Sequence, residues 1–211
     1  VTHADRSSLD DAALVTLANA GDAAAFEALY DRYREWILRS ARVVTGNDDL
    51  ATDVLQEVIL YWLSRFPGFT LQGKVTSFLY PCVRHTSLEM LRKRGRVMEA
   101  DRTGTGTGTG TRTGTEAVDT RAPASASVRA SSESEHLLRA DAVAVASALR
   151  RAFETLPLEQ REVLHLAVTE GLAMAEIANS LDVPVGTVKS RLHHALSKLR
   201  EDDLLRKSLF G

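Results

Sequence analysis

The sequence predicts an all-α fold: two small helical domains joined by a flexible Thr/Gly-rich linker, the C-terminal one containing a helix-turn-helix. Three observations predict it. Apolar residues recur at helical spacing through both ends of the chain. Thr103 to Thr115 is almost pure Thr-Gly alternation, with nothing to bury and maximal chain entropy to lose. Residues 171–200 read as two helices with a tight turn between them. The boundaries that follow are 1–94, 95–134 and 135–211.

Taken in order, Ser8 with Asp11 three residues on resembles a capping box, opening a short helix through Leu14, Leu17 and Ala18 that Gly21 closes. Asp22 caps a second helix carrying Phe26, Leu29, Tyr33, Trp36, Ile37 and Val44, stopped by Gly46. Asp48 or Asp49 starts a third with Leu50, Val54, Leu55, Val58, Ile59, Tyr61, Trp62, Leu63 and Phe66 as its apolar residues, ended by Pro67-Gly68. After a loop to Lys74, a fourth runs from about Val75 to Arg94, with Pro81 inside it as an expected kink. Beyond the linker, Leu137 to Phe153 is helical again. Pro157 starts a helix from Leu158 to Glu170, and Gly171 ends it.

In the helix-turn-helix, Ile177, Ala178 and Leu181 form the inner face of the first helix. Val188, Leu192, Ala195, Leu196 and Leu199 form that of the second. Asp182 stands at the turn, where a left-handed residue is required and Asp is tolerated better than most. At about 100° per residue, Ser190, His193, His194 and Ser197 point away from the apolar stripe, flanked by Lys189, Arg191 and Lys198. Cations, hydroxyls and imidazoles on one face suit phosphates and base edges in a DNA major groove.

Composition excludes several classes. Lys+Arg is 26 and Asp+Glu 28, giving a net charge of −2, so any DNA contact comes from local patches: Arg92-Lys93-Arg94 with Arg96, and Lys189 to Arg200. No apolar run reaches membrane-spanning length, the start carries no secretory signal pattern, and one cysteine, Cys82, fits a reducing cytoplasm. No nucleophile–base set, metal-ligand cluster or nucleotide loop appears, so no catalytic residue, metal or cofactor is expected. The Thr-Gly tract lacks the Lys-Ser/Thr pair of a phosphate-cradling loop.

Two separate stretches resemble one family. Leu156-Pro157-Leu158-Glu159-Gln160-Arg161-Glu162-Val163-Leu164, Glu176-Ile177-Ala178 and Val183 to Leu192 are similar to the C-terminal domain of extracytoplasmic-function sigma factors of the sigma-70 family. Gly21 to Tyr30, Asp53 to Val58, and Phe78-Leu79-Tyr80 with Arg84 and Leu91 to Arg94 resemble the N-terminal domain of the same family. The resemblance implies a protein that binds core RNA polymerase, directs it to promoters and assists melting. It implies core-polymerase binding through Asp53, Gln56 and Glu57. It implies contact with the melted minus-10 element through Phe69, Lys74, Phe78, Arg84, His85, Arg92 and Lys93, and with the minus-35 duplex through Thr187, Lys189, Ser190, Arg191, His193, His194 and Lys198. An anti-sigma factor is a further candidate partner; no membrane partner is implied. Many relatives carry Trp, Asn and Asp where Phe78, His85 and Glu89 stand.

Phe69, in a loop, is the aromatic best placed to stack on an unpaired base, worth ~1–3 kcal/mol. The linker, about 40 residues, has a typical reach of ~35 Å, enough to span two promoter elements without fixing their spacing. Two other classes stay open on residues alone: a stand-alone helix-turn-helix regulator, which leaves residues 22–94 unexplained, and a helical adaptor that binds polymerase or an anti-sigma partner without reading DNA.

Overall fold

The structure, a computed structural model, describes residues 6, 8–103 and 145–202, with backbone alone for 98–103. Every regular element among the described residues is helical. The rest of the expected linker, from residue 104, and the apolar positions Leu137, Leu138 and Val143 lie outside the described residues.

Helix α1 (Asp11–Asn19) opens on Asp10, not on the predicted Ser8: the Asp10 carboxylate accepts the Ala13 N–H at 2.8 Å. Asp11 is drawn off sideways by Arg32 at 2.6 Å and by the Tyr33 hydroxyl. Asp22 caps α2 (Ala23–Thr45) as expected, accepting from Ala24 and Ala25. Arg6, 2.6 Å away, holds the Asp22 carboxyl below its usual range. Gly46 ends α2 in left-handed conformation, φ 63°, where a Cβ would be strained.

Helix α3 (Asp48–Ser64) is capped by Asn47, which accepts from Leu50 at 2.9 Å, leaving Asp48 and Asp49 in the first turn beside the positive end of the dipole. The loop after it is pinned from a distance. The Asn19 side-chain oxygen accepts from the Gly68 and Phe69 N–H groups, and its amide donates to the Phe69 carbonyl.

Helix α4 (Val75–Thr103) overruns its predicted end at Arg94 by nine residues and takes in the start of the expected linker. One glycine, Gly95, costs about 1 kcal/mol against alanine and does not stop a long helix. Pro81 lies inside α4 without ending it; it removes one N–H early in the helix. Helices α2, α3 and α4 close around Leu29, Ile37, Val54, Val58, Trp62, Leu79 and Val83, all fully or almost fully buried, each worth roughly 1.5–3 kcal/mol of burial or more.

The C-terminal half begins with α5 (residues 145–154) and α6 (Leu158–Leu164). The expected single helix to Glu170 instead ends as a π turn, His165–Thr169, in which the Glu170 N–H donates five residues back to the His165 carbonyl at 3.2 Å. Gly171, φ 61°, exits the turn. Helices α7 (Met174–Leu181) and α8 (Val185–Glu201) form the helix-turn-helix. Glu176 accepts the Ala173 N–H at 2.8 Å, half of a capping box, and Asp182 adopts φ 52°, ψ 51°, as the turn demanded. Pro184 stands just outside α8 as its cap.

The two halves do not stand apart. Helix α2 packs on α6 and α4 on α7, and the apolar core runs without a break from Leu29 and Val83 through Val163, Leu166, Leu172 and Ile177 to Val188. A second small cluster, Leu156, Leu164 and Ala195, joins α6 to α8. The independent domains expected from the sequence are docked, because apolar positions on α6 and α7 face α2 and α4 as well as their own neighbours.

Candidate nucleic-acid and partner interfaces

Helix α8 is set in phase by Val188 and Ala195, which are fully buried, with Leu192, Leu196 and Leu199 packed beside them. That phase leaves Lys189, Ser190, His193, His194 and Lys198 exposed, with Thr187 and Arg191 half-buried at the edges. The face is cationic and hydroxyl-bearing over three turns. The His193 and His194 rings sit edge to face at 5.8 Å. Among the described residues no group of three His, Cys, Asp or Glu side chains could hold a metal.

Helix α3 turns Ala51, Val54, Leu55, Val58 and Trp62 inward. Asp53, Gln56 and Glu57 are therefore exposed together on the opposite side. Leu60, Tyr61 and Leu63 extend that outward stripe and are exposed at 61%, 47% and 47%. By spacing, the sequence reading counted Tyr61 with the core aromatics, and it listed Leu63 among the apolar residues of the helix. The signal that finds them is their spacing: Leu60 and Tyr61 follow Glu57 by three and four residues, in phase with the acids and not with Val54, Val58 and Trp62. The outcome is a strip with carboxylates at one end and large apolar groups at the other.

The third surface surrounds α4. Phe69 does not present its ring to solvent. It is 7% exposed and packs against Phe78, Phe66 and Trp62 at centroid distances of 4.7, 5.4 and 6.2 Å. Its assignment as a base-stacking residue is corrected in this structure: the loop position is tied inward by Asn19, and the ring completes an aromatic core. Phe78, half-buried, is the outer member of that cluster. His85, Arg92 and Lys93 are exposed, Lys93 pairing with Glu89 at 2.9 Å one turn back. Lys74 and Arg84 are engaged across the seam: Lys74 Nζ with Glu176 at 3.2 Å, and Arg84 Nε with Glu162 at 2.7 Å.

Glu162 and His165 were missed by sequence reasoning. Glu162 is 0% exposed; its Oε1 accepts from Arg84 and, at 3.2 Å, from the Tyr80 hydroxyl. Burial pushes its carboxyl up, opposed by Arg84 and Tyr80. His165 meets Ser40 Oγ at 3.1 Å, and burial, with Arg39 near, pushes the imidazole down to about 4. Helical period alone shows no partner for a buried acid in a distant segment. Cys82 is half-buried, its thiol pushed up by burial and directed at the Phe78 carbonyl, which leaves it a packing residue.

Two exposed cationic helix faces, one of them in a helix-turn-helix, and a separate exposed acidic-apolar strip are features suited to a helical protein that meets DNA and a protein partner. Comparison with known proteins is consistent with that class. The sigma-70 region 2 family model matches residues 29–97, and the sigma-70 region 4 model matches residues 146–199. The chain is 30% identical over 192 residues to the ECF RNA polymerase sigma factor SigL of Mycobacterium tuberculosis, covering 89% of this chain and 94% of that protein. It is 25% identical over 186 residues to SigW of Bacillus subtilis, covering 86% and 90%. Its fold is similar to that of the sigma factor RpoE solved with the anti-sigma factor NepR from Bartonella quintana (TM-score 0.58, 19% identity, 86% of this chain and 96% of that one). It is also similar to CnrH solved with the cytosolic domain of CnrY (TM-score 0.56, 20% identity, 90% and 95%). The chain belongs to the extracytoplasmic-function sigma factors of the sigma-70 family. It is an RNA polymerase sigma factor, of a family that binds core polymerase and promoter DNA and is not a class of enzymes. No helix among the described residues is long and apolar enough to cross a membrane.

Proposed function

We propose a division of labour among the three surfaces. The α8 face, Thr187, Lys189, Ser190, Arg191, His193, His194 and Lys198, reads the upstream promoter element as duplex in the major groove. The surface around α4, with Lys74, Phe78, Arg84, His85, Arg92 and Lys93, holds the downstream element as separated strand. The outward strip of α3, Asp53, Gln56 and Glu57 continued by Leu60 and Tyr61, docks on core polymerase. The domain division is 1–94 and 135–211, with α4 running on past Arg94 into the connecting segment, and the chain works in the cytoplasm alongside polymerase. An anti-sigma factor is a further partner, in keeping with the sigma factor RpoE of similar fold, solved with the anti-sigma factor NepR.

The observation that carries this reading is the α3 strip. A lone regulator has no use for an unburied acidic-apolar helix face remote from its DNA-reading helix, and an adaptor has no use for two cationic ones. Run-off transcription with core polymerase and a genome-wide template set, mapped by RNA 5′ ends, tests it. Defined start sites dependent on the chain are expected; a folded chain that binds core polymerase yet yields none refutes the assignment of the α4 and α8 surfaces.

A further inference from the structure

One side chain of α1 holds the loop between α3 and α4. Asn19, the last residue of α1, lies outside residues 29–97, the stretch that the region 2 family model matches. Its side-chain oxygen accepts from the Gly68 N–H at 2.8 Å and the Phe69 N–H at 3.0 Å, and its amide donates to the Phe69 carbonyl at 2.8 Å. Two N–H groups need an acceptor and one carbonyl needs a donor, so the pattern asks for a primary amide: a carboxylate lacks the donor and an ammonium lacks the acceptor. Gly68, at φ 111°, makes a turn there that a side chain would strain. Beyond it the loop alternates. Phe69 and Leu71 pack inward on the core, whereas Thr70 and Gln72 are exposed. The far end is fixed by Val75, fully buried at the start of α4. The outward pair stands between Phe69, whose ring lies 4.7 Å from that of Phe78, and Lys74. Phe78 and Lys74 are both assigned above to the separated strand.

We infer that Asn19 is a positioning residue for strand recognition: through the Gly68–Phe69 backbone it fixes the loop so that Thr70 and Gln72 meet the edge of an unpaired base beside Phe78. This rests on the assignment of Lys74 and Phe78 to the downstream strand, and it adds the groups that discriminate within that strand. A phosphate contact at Lys74 and a ring face at Phe78 serve any base alike. A Thr hydroxyl and a Gln amide each donate and accept, and melting exposes the donors and acceptors that a duplex pairs internally, so these two side chains distinguish one base from another. They do so only while their backbone is held; a loop free to shift lets the same groups turn to whichever edge arrives. The clamp reaches the surface at Gly68, where water can replace it, so its removal loosens the loop while the α2, α3 and α4 core stays folded.

The test uses the full chain as holoenzyme with core polymerase. A fluorescein-labelled single-stranded oligodeoxynucleotide carries the non-template strand of a promoter found by start-site mapping, and a set of variants changes each downstream base in turn. Anisotropy titrations give the base preference at each position. Thr70→Ala and Gln72→Ala should each flatten that preference about tenfold at one position. Asn19→Ala should flatten it at the same positions, leaving the preferences elsewhere and the amount of core polymerase bound unchanged. Asn19→Asp, which keeps the acceptor for both N–H groups, should regain part of the loss. An even decline at all positions, which general loosening of the fold produces, overturns the positioning role, as does parent-like discrimination by a folded Asn19→Ala. Parent-like discrimination by both Thr70→Ala and Gln72→Ala overturns their role as readers. Should Asn19→Ala fail to fold, these two exposed loop variants carry the test. A parent holoenzyme that binds the strand with no base preference at any position refutes the inference alone; one that does not bind the strand refutes the functional reading of the α4 surface, and the inference with it.

Discussion

His165 carries an imidazole that is 4% exposed and faces Ser40, with Arg39 and Glu170 also against it. Burial has lowered it from 6.5 to about 4. A lowered folded value means that its contribution is fully present above about 6.5 and is lost as pH falls toward about 4. Glu162 and Glu170 are shifted the other way by burial, so their contribution is greatest in acid and is lost as pH rises through their raised values. The two effects oppose, and a substitution separates them. His165→Gln keeps a polar partner for Ser40 and removes the titration. The stability advantage of the parent over this variant, from urea unfolding at a series of pH values, should shrink by up to ~3 kcal/mol between neutral pH and about 4. Phe69 calls for a different test. With three aromatic rings packed against it, Phe69→Ala should cost about 3–5 kcal/mol, read as a fall in denaturation midpoint at constant slope. A loss confined to DNA binding would restore Phe69 as a surface reader.

Helix α3 presents its outward strip without help from its neighbours, so its role can be probed without disturbing the core. Tyr61→Ala should weaken core-polymerase binding by about 1–2 kcal/mol with an unchanged melting temperature, and Glu57→Lys should do likewise through charge. Normal binding by both in a quantitative pull-down would remove the strip from the docking surface. The helices themselves were legible wherever a local rule decides them: Asp22 and Gly46 bracket α2, and Asp182 takes the left-handed turn that the spacing required of it. Legibility failed where rules compete. Asp10 and Ser8 are both competent caps two residues apart, and Arg32 and Tyr33 settle the choice by claiming Asp11 from another helix. Gly95 looked like a boundary because composition changes there, yet helix α4 had enough length to carry one glycine. Tyr61 was counted with the core aromatics by spacing, but its phase is that of Glu57 and not of Val54, Val58 and Trp62, and it is 47% exposed.

For the molecule as a whole, a net charge of −2 offers no long-range pull toward DNA, and neither half is basic overall. With the helix-turn-helix half folded back on the other, the two reading surfaces are also held at a spacing fixed by the seam and not by promoter DNA. The free chain should therefore give no stable complex in a mobility-shift assay on its own promoter at about 0.15 M salt, while the same concentration with core polymerase should. A tight complex of the free chain would mean that α8 alone suffices. None of this docking was visible in the linear sequence. Glu162 sits in a motif that marks the C-terminal domain, but its hydrogen-bond partners lie about eighty residues upstream and in a different helix.

The wide turn at His165–Thr169 has a consequence of its own. It holds one more residue than an α-helical turn would, and Val168 within it is 68% exposed. Losing a single residue there would let ordinary helical bonding resume and rotate everything that follows by about 100°. Like a gear that skips a tooth, the chain would stay helical at every point and yet aim its reading helix at the wrong bearing.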